Sequence, residues 1–427
     1  MTRNLRWWII ALVTIGTILN YLARSTLSVA APTLKHEFAM STQQYSWVVG
    51  AFQAAYTVMQ PVAGYILDLL GLRLGFAIFA VAWSLSNCFH AFATGWPTLA
   101  LFRGMLGLSE AAAIPAGMKT VAKWFPPRER TVATGWFNIG TSIGAMIAPP
   151  IVVFCIAMWG WQSAFIVTGS VGLLWAALWY AVYRDPEDHA SLSDEEKALI
   201  GIDRDTAEPP AGAPLTWRAV LRTRAFWSIA IPRFLADPAW QTFSFFIPLY
   251  LVEQRGMDLK GIAAFAWLPF LAADAGSLLG GYYAPFLIRR FNVSLLTSRK
   301  IVMTTGALLM IGPACIGLTV SPAAAIALFC IGGFAHQMLS GTLITLSADL
   351  FDQRVVATAT GMAGSAAWIG GLSFSLIIGS LADVVGYEPL FVCLALFDLV
   401  GAIVLWTLLR TPTRVGHGPI AGAAIDQ

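Results

Sequence analysis

Charge is what this sequence has least of. Asp, Glu, Lys and Arg together make up 11% of its 427 residues, where a soluble domain carries ~25%. With 57% hydrophobic residues beside them, that scarcity excludes an ordinary water-soluble globular chain. Cysteine is also scarce. Cys88, Cys155, Cys315, Cys330 and Cys393 all fall inside apolar runs, with neither loop positions for structural disulfides nor metal-ligand spacing. They read as small packing residues, so no metal and no cofactor is expected. There is no Gly-Lys dipeptide, which removes the phosphate-binding loop a primary pump needs. Only His90 and His336 lie within apolar runs, too few for a haem-bearing electron carrier. No motif supports an intramembrane serine hydrolase, and an enzyme is not expected.

What is present is a series of apolar runs. Twelve can be counted, centred near residues 18, 55, 84, 110, 144, 172, 238, 274, 310, 334, 368 and 398. Each is long enough for a membrane helix, which needs about 20 apolar residues. The first begins at Arg6, and Val29-Ala30-Ala31 resembles a cleavage site. Its length and its polar Asn20 and Arg24 make it a retained span rather than a signal core. The basic residues set the orientation. With the N-terminus inside, nineteen of the 26 Lys and Arg fall in inner loops and tails, among them Arg73, Arg128, Arg130, Arg289, Arg290, Arg299 and Lys300. Only Lys35, Arg255 and Lys260 fall outside, and Arg24, Arg103, Lys119 and Arg233 lie within spans. Both termini are therefore expected in the cytoplasm. The net charge of +3 reflects this topology and implies no nucleic-acid partner; the partner is the lipid bilayer.

The longest hydrophilic stretch separates six runs from six. The expected organisation is an N-terminal six-helix bundle over 1–184, a cytoplasmic linker over 185–224 and a C-terminal six-helix bundle with a short tail over 225–427. In the linker, Ser193 with Glu196 three residues on is a helix-start signal, and Glu208-Pro209-Pro210-Ala211-Gly212-Ala213-Pro214 reads as flexible. The two halves share a pattern: Arg128 with Gly135 seven residues on, and Arg354 with Gly361, at an offset of 226 residues. The same offset carries Gly107 onto Gly333 and Glu110 onto His336. Related halves around a midplane site are how many secondary transporters are built.

Ions inside apolar runs are costly, at least ~2.5–3.5 kcal/mol each, and mark substrate or ion paths. Arg103 and Glu110 share one helix face, roughly 10 Å apart along the axis. Arg24 lies at a similar depth in span one. Two guanidiniums at one depth suit a carboxylate ligand, which arginine grips bidentately; alternatively one of them pairs with Glu110. Arg24 is the expected substrate arginine, Arg103 the expected partner of Glu110, and Glu110 the expected proton carrier. Arg233 and Asp237, one turn apart, read as a structural salt bridge or an inner gate. Asp274 and Asp398 are lone mid-span carboxylates, for which a function or a protonated structural role are equally open. His336 is a core histidine or, as the repeat counterpart of Glu110, a substrate or proton residue. Lys119 is expected to snorkel at the inner end of span four. Asn138 could bind a ligand hydroxyl, while Gly140 and Gly144 beside it simply allow close helix packing.

The loop after span two, Gly64-Tyr65-Ile66-Leu67-Asp68-Leu69-Leu70-Gly71-Leu72-Arg73, resembles the G-x-x-x-D-x-x-G-x-R/K motif of the major facilitator superfamily. Its glycines permit a tight turn, and Asp68 can accept from helix N-terminal amides and from a basic residue. The resemblance makes Asp68, Arg73 and Arg128 gating or structural residues. Asn20-Tyr21-Leu22-Ala23-Arg24, Ser41-Thr42-Gln43-Gln44-Tyr45, Arg103 with Glu110, and Trp124-Phe125-Pro126 are similar to the anion:cation symporter family. Gln60-Pro61-Val62-Ala63-Gly64-Tyr65 and Gly332-Gly333-Phe334-Ala335-His336-Gln337 look like its bacterial hexuronate transporters. The resemblance runs from span one to span twelve. It implies an all-α integral membrane fold of two pseudo-symmetric six-helix bundles, and proton-coupled import of sugar acids such as galacturonate and glucuronate across the bacterial inner membrane, by a functional monomer. It also implies sugar-binding roles for Tyr21 and Tyr56. Two positions depart from the family: Ala23 replaces a common Asp, and no Asn follows Asn292, so second-half contacts are expected from Trp240, Gln241, His336 and Trp368. A uniporter or an exchanger of another organic anion stays open on the same scaffold.

Overall fold

A computed structural model describes residues 4–189, 191–201, 217–253, 255–257, 265, 267–385 and 388–409. The tail with Arg410 and Arg414, the 208–214 linker, Arg204 and Lys260 lie outside the described residues. Every regular element described is helical. That follows from composition: in hydrocarbon each backbone N–H and C=O must be satisfied within its own segment, which a helix does.

The order is α1 (Leu5–Glu37), α2 (Thr42–Leu70), α3 (Leu72–Phe89), α4 (Trp96–Glu110), α5 (Ala113–Trp124), α6 (Pro127–Trp159), α7 (Trp161–Val182), α8 (Asp194–Gly201), α9 (Trp217–Arg222), α10 (Arg224–Glu253), α11 (Leu268–Phe291), α12 (Leu295–Leu309), α13 (Ile311–Ala314), α14 (Pro322–Leu350), α15 (Val356–Val385) and α16 (Glu388–Leu408). Eight described segments are long and apolar enough to cross a membrane. The long helices α2, α10, α11 and α15 bring the number of membrane-length rods among the described residues to twelve.

The chain divides into two compact units. The first comprises Met1–Trp124, Trp136–Lys197 and Asp352–Met362, and the second Phe125–Gly135, Ala198–Phe351 and Ala363–Gln427.

Local chemistry explains the boundaries in the first unit. Ser41 caps α2 by accepting from the Gln44 amide, and the Gln44 side chain accepts from the Ser41 amide in return. Gly71, at φ 77°, ends α2 and starts α3 in a turn that L side chains rarely adopt. In the linker, Ser193 Oγ accepts from the Glu196 amide. The Glu196 carboxylate turns away from α8, accepts from the backbone amides of Leu5 and Arg6 at 2.9 and 3.0 Å, and pairs with the Arg6 guanidinium at 2.8 Å. An acidic side chain thus satisfies two of the orphan donors at the start of α1.

Three expectations are corrected. The fourth apolar run is not one helix: it turns at Ala111–Ala112, immediately after Glu110. Lys119 does not snorkel. It is 3% exposed and bonded to Leu67 O and Asp68 Oδ1, both at 2.9 Å. Arg299 and Lys300 are not loop cations; both are buried in α12.

Candidate functional site

In the first unit, α1, α2 and α4 bring together the charged and aromatic residues singled out by the sequence. Arg24 projects from α1. Its Nε donates to Glu110 Oε2 at 2.9 Å, and its Nη2 to Asn20 Oδ1, one turn earlier, at 3.4 Å. Three rings cage the guanidinium, with Cζ 4.3 Å from the Tyr21 centroid, 4.9 Å from Tyr56 and 5.1 Å from Phe52. Aromatic faces favour a cation electrostatically, the more so when water is excluded. Phe52 and Tyr56 are four apart on α2 and stack with centroids 5.6 Å apart.

The partner of Glu110 is therefore Arg24, and the expected Arg103–Glu110 pair is corrected. The seven-residue spacing places Arg103 and Glu110 about 10 Å apart along α4, whereas α1 lays Arg24 against the carboxylate. Arg103 instead donates Nη2 to the Arg24 backbone carbonyl at 2.9 Å and lies 5.5 Å from the Phe52 ring. The second arginine positions the first through its backbone.

The centre is not saturated. Glu110 is fully buried, and its Oε1 has no hydrogen-bond partner among the described residues; neither has Arg103 Nε. Arg24 keeps 17% of its side chain exposed. Part of the Arg24 guanidinium thus stays open to an incoming anion, which meets it in competition with Glu110. Asn138 is buried in α6 of the same unit, where Gly140 and Gly144 lie against the α1 backbone. Gly107 has the Phe52 carbonyl where a side chain would begin, which lets α4 approach α2 at the level of the cage.

Elsewhere in this unit, Asp68 accepts from Lys119 Nζ through Oδ1, and from the Thr358 amide and hydroxyl at 2.7 and 2.6 Å through Oδ2. Thr358 is in the first turn of α15, so the carboxylate meets a helix N-terminus. Arg73 donates to Tyr180 O at 3.1 Å and lies 4.5 Å from that ring.

The second unit holds a separate polar group. Trp240 stacks on His336 at 5.7 Å and 16°, and meets Phe270 edge-on. His336 is 3% exposed and its Nδ1 has no partner among the described residues. Asp237 accepts from Gln241 Nε2 at 3.3 Å, and Gly371 of α15 packs against both side chains. Arg233, one turn before Asp237, and Trp368 are half-buried. Gly333 repeats the behaviour of Gly107, with the Pro269 carbonyl in the place of a side chain. Asp398 is fully buried in α16, and neither of its carboxylate oxygens has a partner among the described residues.

Of the two arginines just after α5, sequence reasoning singled out Arg128 and passed over Arg130. Arg128 is exposed. Arg130 is buried and donates to Ala348 O at 2.6 Å and Asp349 Oδ1 at 3.4 Å. Arg299 completes the group, with Nε on Asp349 Oδ2 at 2.9 Å and Nη2 on Pro127 O at 2.8 Å. One available signal was that Asp349 is the sole carboxylate in the 29-residue α14. Phe52 and Asn20 were also missed, though each lies one turn from a residue that was chosen. Among the described residues no three His, Cys, Asp or Glu come together to hold a metal.

The profile of the Major Facilitator Superfamily matches residues 13–298, and the chain belongs to that superfamily: it is a multi-pass membrane transporter, not an enzyme. The "Hexuronate transporter" of Escherichia coli (strain K12) is 53% identical over 414 residues, 97% of this chain and 96% of that protein. The "Galacturonate transporter" of Dickeya chrysanthemi is 51% identical over 327 residues, 76% of this chain and 94% of that protein. The fold is shared with the crystal structure of the transporter FucP in the outward conformation, at a TM-score of 0.72 and 14% identity, over 94% of this chain and 99% of that one. The proton:xylose symporter XylE gives a TM-score of 0.70 at 16% identity, over 94% and 95%.

Proposed function

We propose that this transporter imports hexuronates, galacturonate and glucuronate among them, together with protons, across the bacterial inner membrane. The observation that carries the reading is the caged Arg24–Glu110 pair, in a chain 53% identical to a protein named for hexuronate transport. A uronate brings a carboxylate, and Arg24 is the cation it would meet. Substrate carboxylate and Glu110 then compete for one guanidinium. Protonation of Glu110 releases Arg24 to the substrate; loss of the proton returns the pair and expels the anion. Tyr21, Tyr56 and Asn138 offer polar groups to the sugar. In the second unit Trp240, Gln241, His336 and Trp368 are the proposed contacts, with Arg233 and Asp237 as structural or gating residues. Asp68 and Arg73 serve gating in the first unit and Arg128 in the second, where the buried Arg130 and Arg299 pair with Asp349. The protein acts as a monomer, with residues 1–184 and 225–427 as its two bundles, the segment 185–224 as their connection and both termini in the cytoplasm.

Ala23, in place of the family's common Asp, favours a second reading in which substrate moves without a proton. Uptake of radiolabelled galacturonate into proteoliposomes at zero membrane potential separates the two. Accumulation above equilibrium only under an inward proton gradient supports symport. Uptake that merely equilibrates supports a uniporter and leaves Glu110 as a structural partner. No uptake overturns the hexuronate assignment.

A further inference from the structure

The second unit carries a groove of about 370 Å³ on its outer face. One wall is a stripe along α11: Leu279, Tyr282, Tyr283 and Phe286. The spacing of three, four and seven residues places them on one helix face. Thr305 and Leu309 of α12 form the other wall, and α14 supplies the floor. Leu279, Tyr282 and Phe286 are each half or more exposed. The volume lies within the ~300–1,000 Å³ range of small-molecule sites, and the lining is almost wholly apolar.

The stripe does not end in apolar residues. Arg289 and Arg290 follow Phe286 by three and four positions, continue the same face, and are exposed. No carboxylate pairs with either among the described residues; Arg290 rests only on the Phe291 ring, at 5.7 Å. Asn292, at φ 52°, then stops the helix. From Leu279 to Arg290 the helix rises roughly 16 Å, about half of the ~30 Å hydrocarbon core and so the depth of one leaflet. A groove one leaflet deep, apolar along its length and doubly cationic at the end where the helix leaves the membrane, matches an amphiphile with an apolar tail and an anionic head.

We propose that this groove binds one acyl chain of an anionic diacyl phospholipid whose phosphate lies against Arg289 and Arg290. Arginine pairs with phosphate bidentately, and adjacent guanidiniums without a counter-ion favour a headgroup of net negative charge over a zwitterion. The charge bias of the loops puts this end on the cytoplasmic side, where anionic headgroups meet juxtamembrane basic residues.

The test uses the full chain in dodecyl maltoside, exposed to an equimolar mixture of palmitoyl-oleoyl phosphatidylglycerol and phosphatidylethanolamine and read by native mass spectrometry. The expected result is one retained phosphatidylglycerol, enriched several-fold over phosphatidylethanolamine. The pair Arg289→Gln and Arg290→Gln abolishes the enrichment, and Arg289→Lys with Arg290→Lys keeps most of it. Thr305→Trp fills the groove and lowers retention of both lipids. Equal retention of the two lipids by the unaltered protein overturns the proposal. So does enrichment that survives the double Gln variant, or retention untouched by Thr305→Trp. A protein dimer in place of lipid adducts also overturns it, since a second copy would then cover the groove. The arginines are exposed at a helix end, so the double variants stay informative even where Thr305→Trp fails to fold.

Discussion

Arg24 and Glu110 form a 2.9 Å ion pair between α1 and α4, in which the carboxylate is fully buried and the guanidinium is caged by three aromatic rings. The pair joins residues 86 positions apart in sequence. Removing one partner leaves the other as an uncompensated buried charge, and that asymmetry shapes the first two predictions.

Arg24→Ala is expected to abolish galacturonate binding and to lower stability by about 3–5 kcal/mol through the stranded Glu110. Arg24→Lys does not rescue binding, because an ammonium cannot reproduce the two-pronged grip of a guanidinium. Adding Glu110→Gln to Arg24→Ala recovers much of the stability and none of the binding. Ligand binding and thermal melting of the three purified variants check this.

Glu110→Gln is expected to bind substrate and to exchange it across the membrane while losing accumulation driven by a proton gradient. Counterflow and gradient-driven uptake, measured on one batch of proteoliposomes, distinguish the two. Equal loss of both would make Glu110 a structural partner only.

Asp68→Ala removes the acceptor of Lys119 and of the Thr358 amide and hydroxyl. Stranding a buried lysine is expected to cost about 3–5 kcal/mol. Thr358→Val removes one hydroxyl bond, keeps the amide bond and costs only about 1 kcal/mol. Melting temperatures in detergent should therefore fall in the order Thr358→Val, then Asp68→Ala.

Glu196→Ala leaves the first amides of α1 and the Arg6 guanidinium without their acceptor. The expected loss is about 1–3 kcal/mol, with amide hydrogen exchange rising at residues 5 and 6 ahead of the rest of α1. Glu196→Gln retains an acceptor and should show a smaller rise.

The fold was legible because apolar runs and cationic loops are written along the chain, and each boundary has its own residue, such as Ser41 or Gly71. The break after Glu110 was passed over, although Pro115 carries its signal: it has no N–H for the Ala111 carbonyl, four residues before, and its ring crowds that carbonyl. In the site, Arg24, Arg103 and Glu110 were visible by their cost in hydrocarbon, but which of them pair was not. Spacing along one helix shows which side chains share a face. It cannot show that α1 will lay Arg24 on Glu110 before Arg103 can reach it. Arg130 and Arg299 were hidden for the opposite reason: in a count of loop charges a buried arginine looks like any other cation near a membrane surface.

The hold of Glu196 on residues 5 and 6 has a consequence for chain topology. A residue beyond the sixth rod touches the beginning of the first, 190 positions upstream. The stretch from Leu5 to Glu196 thus brings its two ends within bonding distance, as compact domains that accept circular permutation do. A permuted chain that joins these ends through a short linker and opens at Gly71, between α2 and α3, should still assemble the helices α1 to α7.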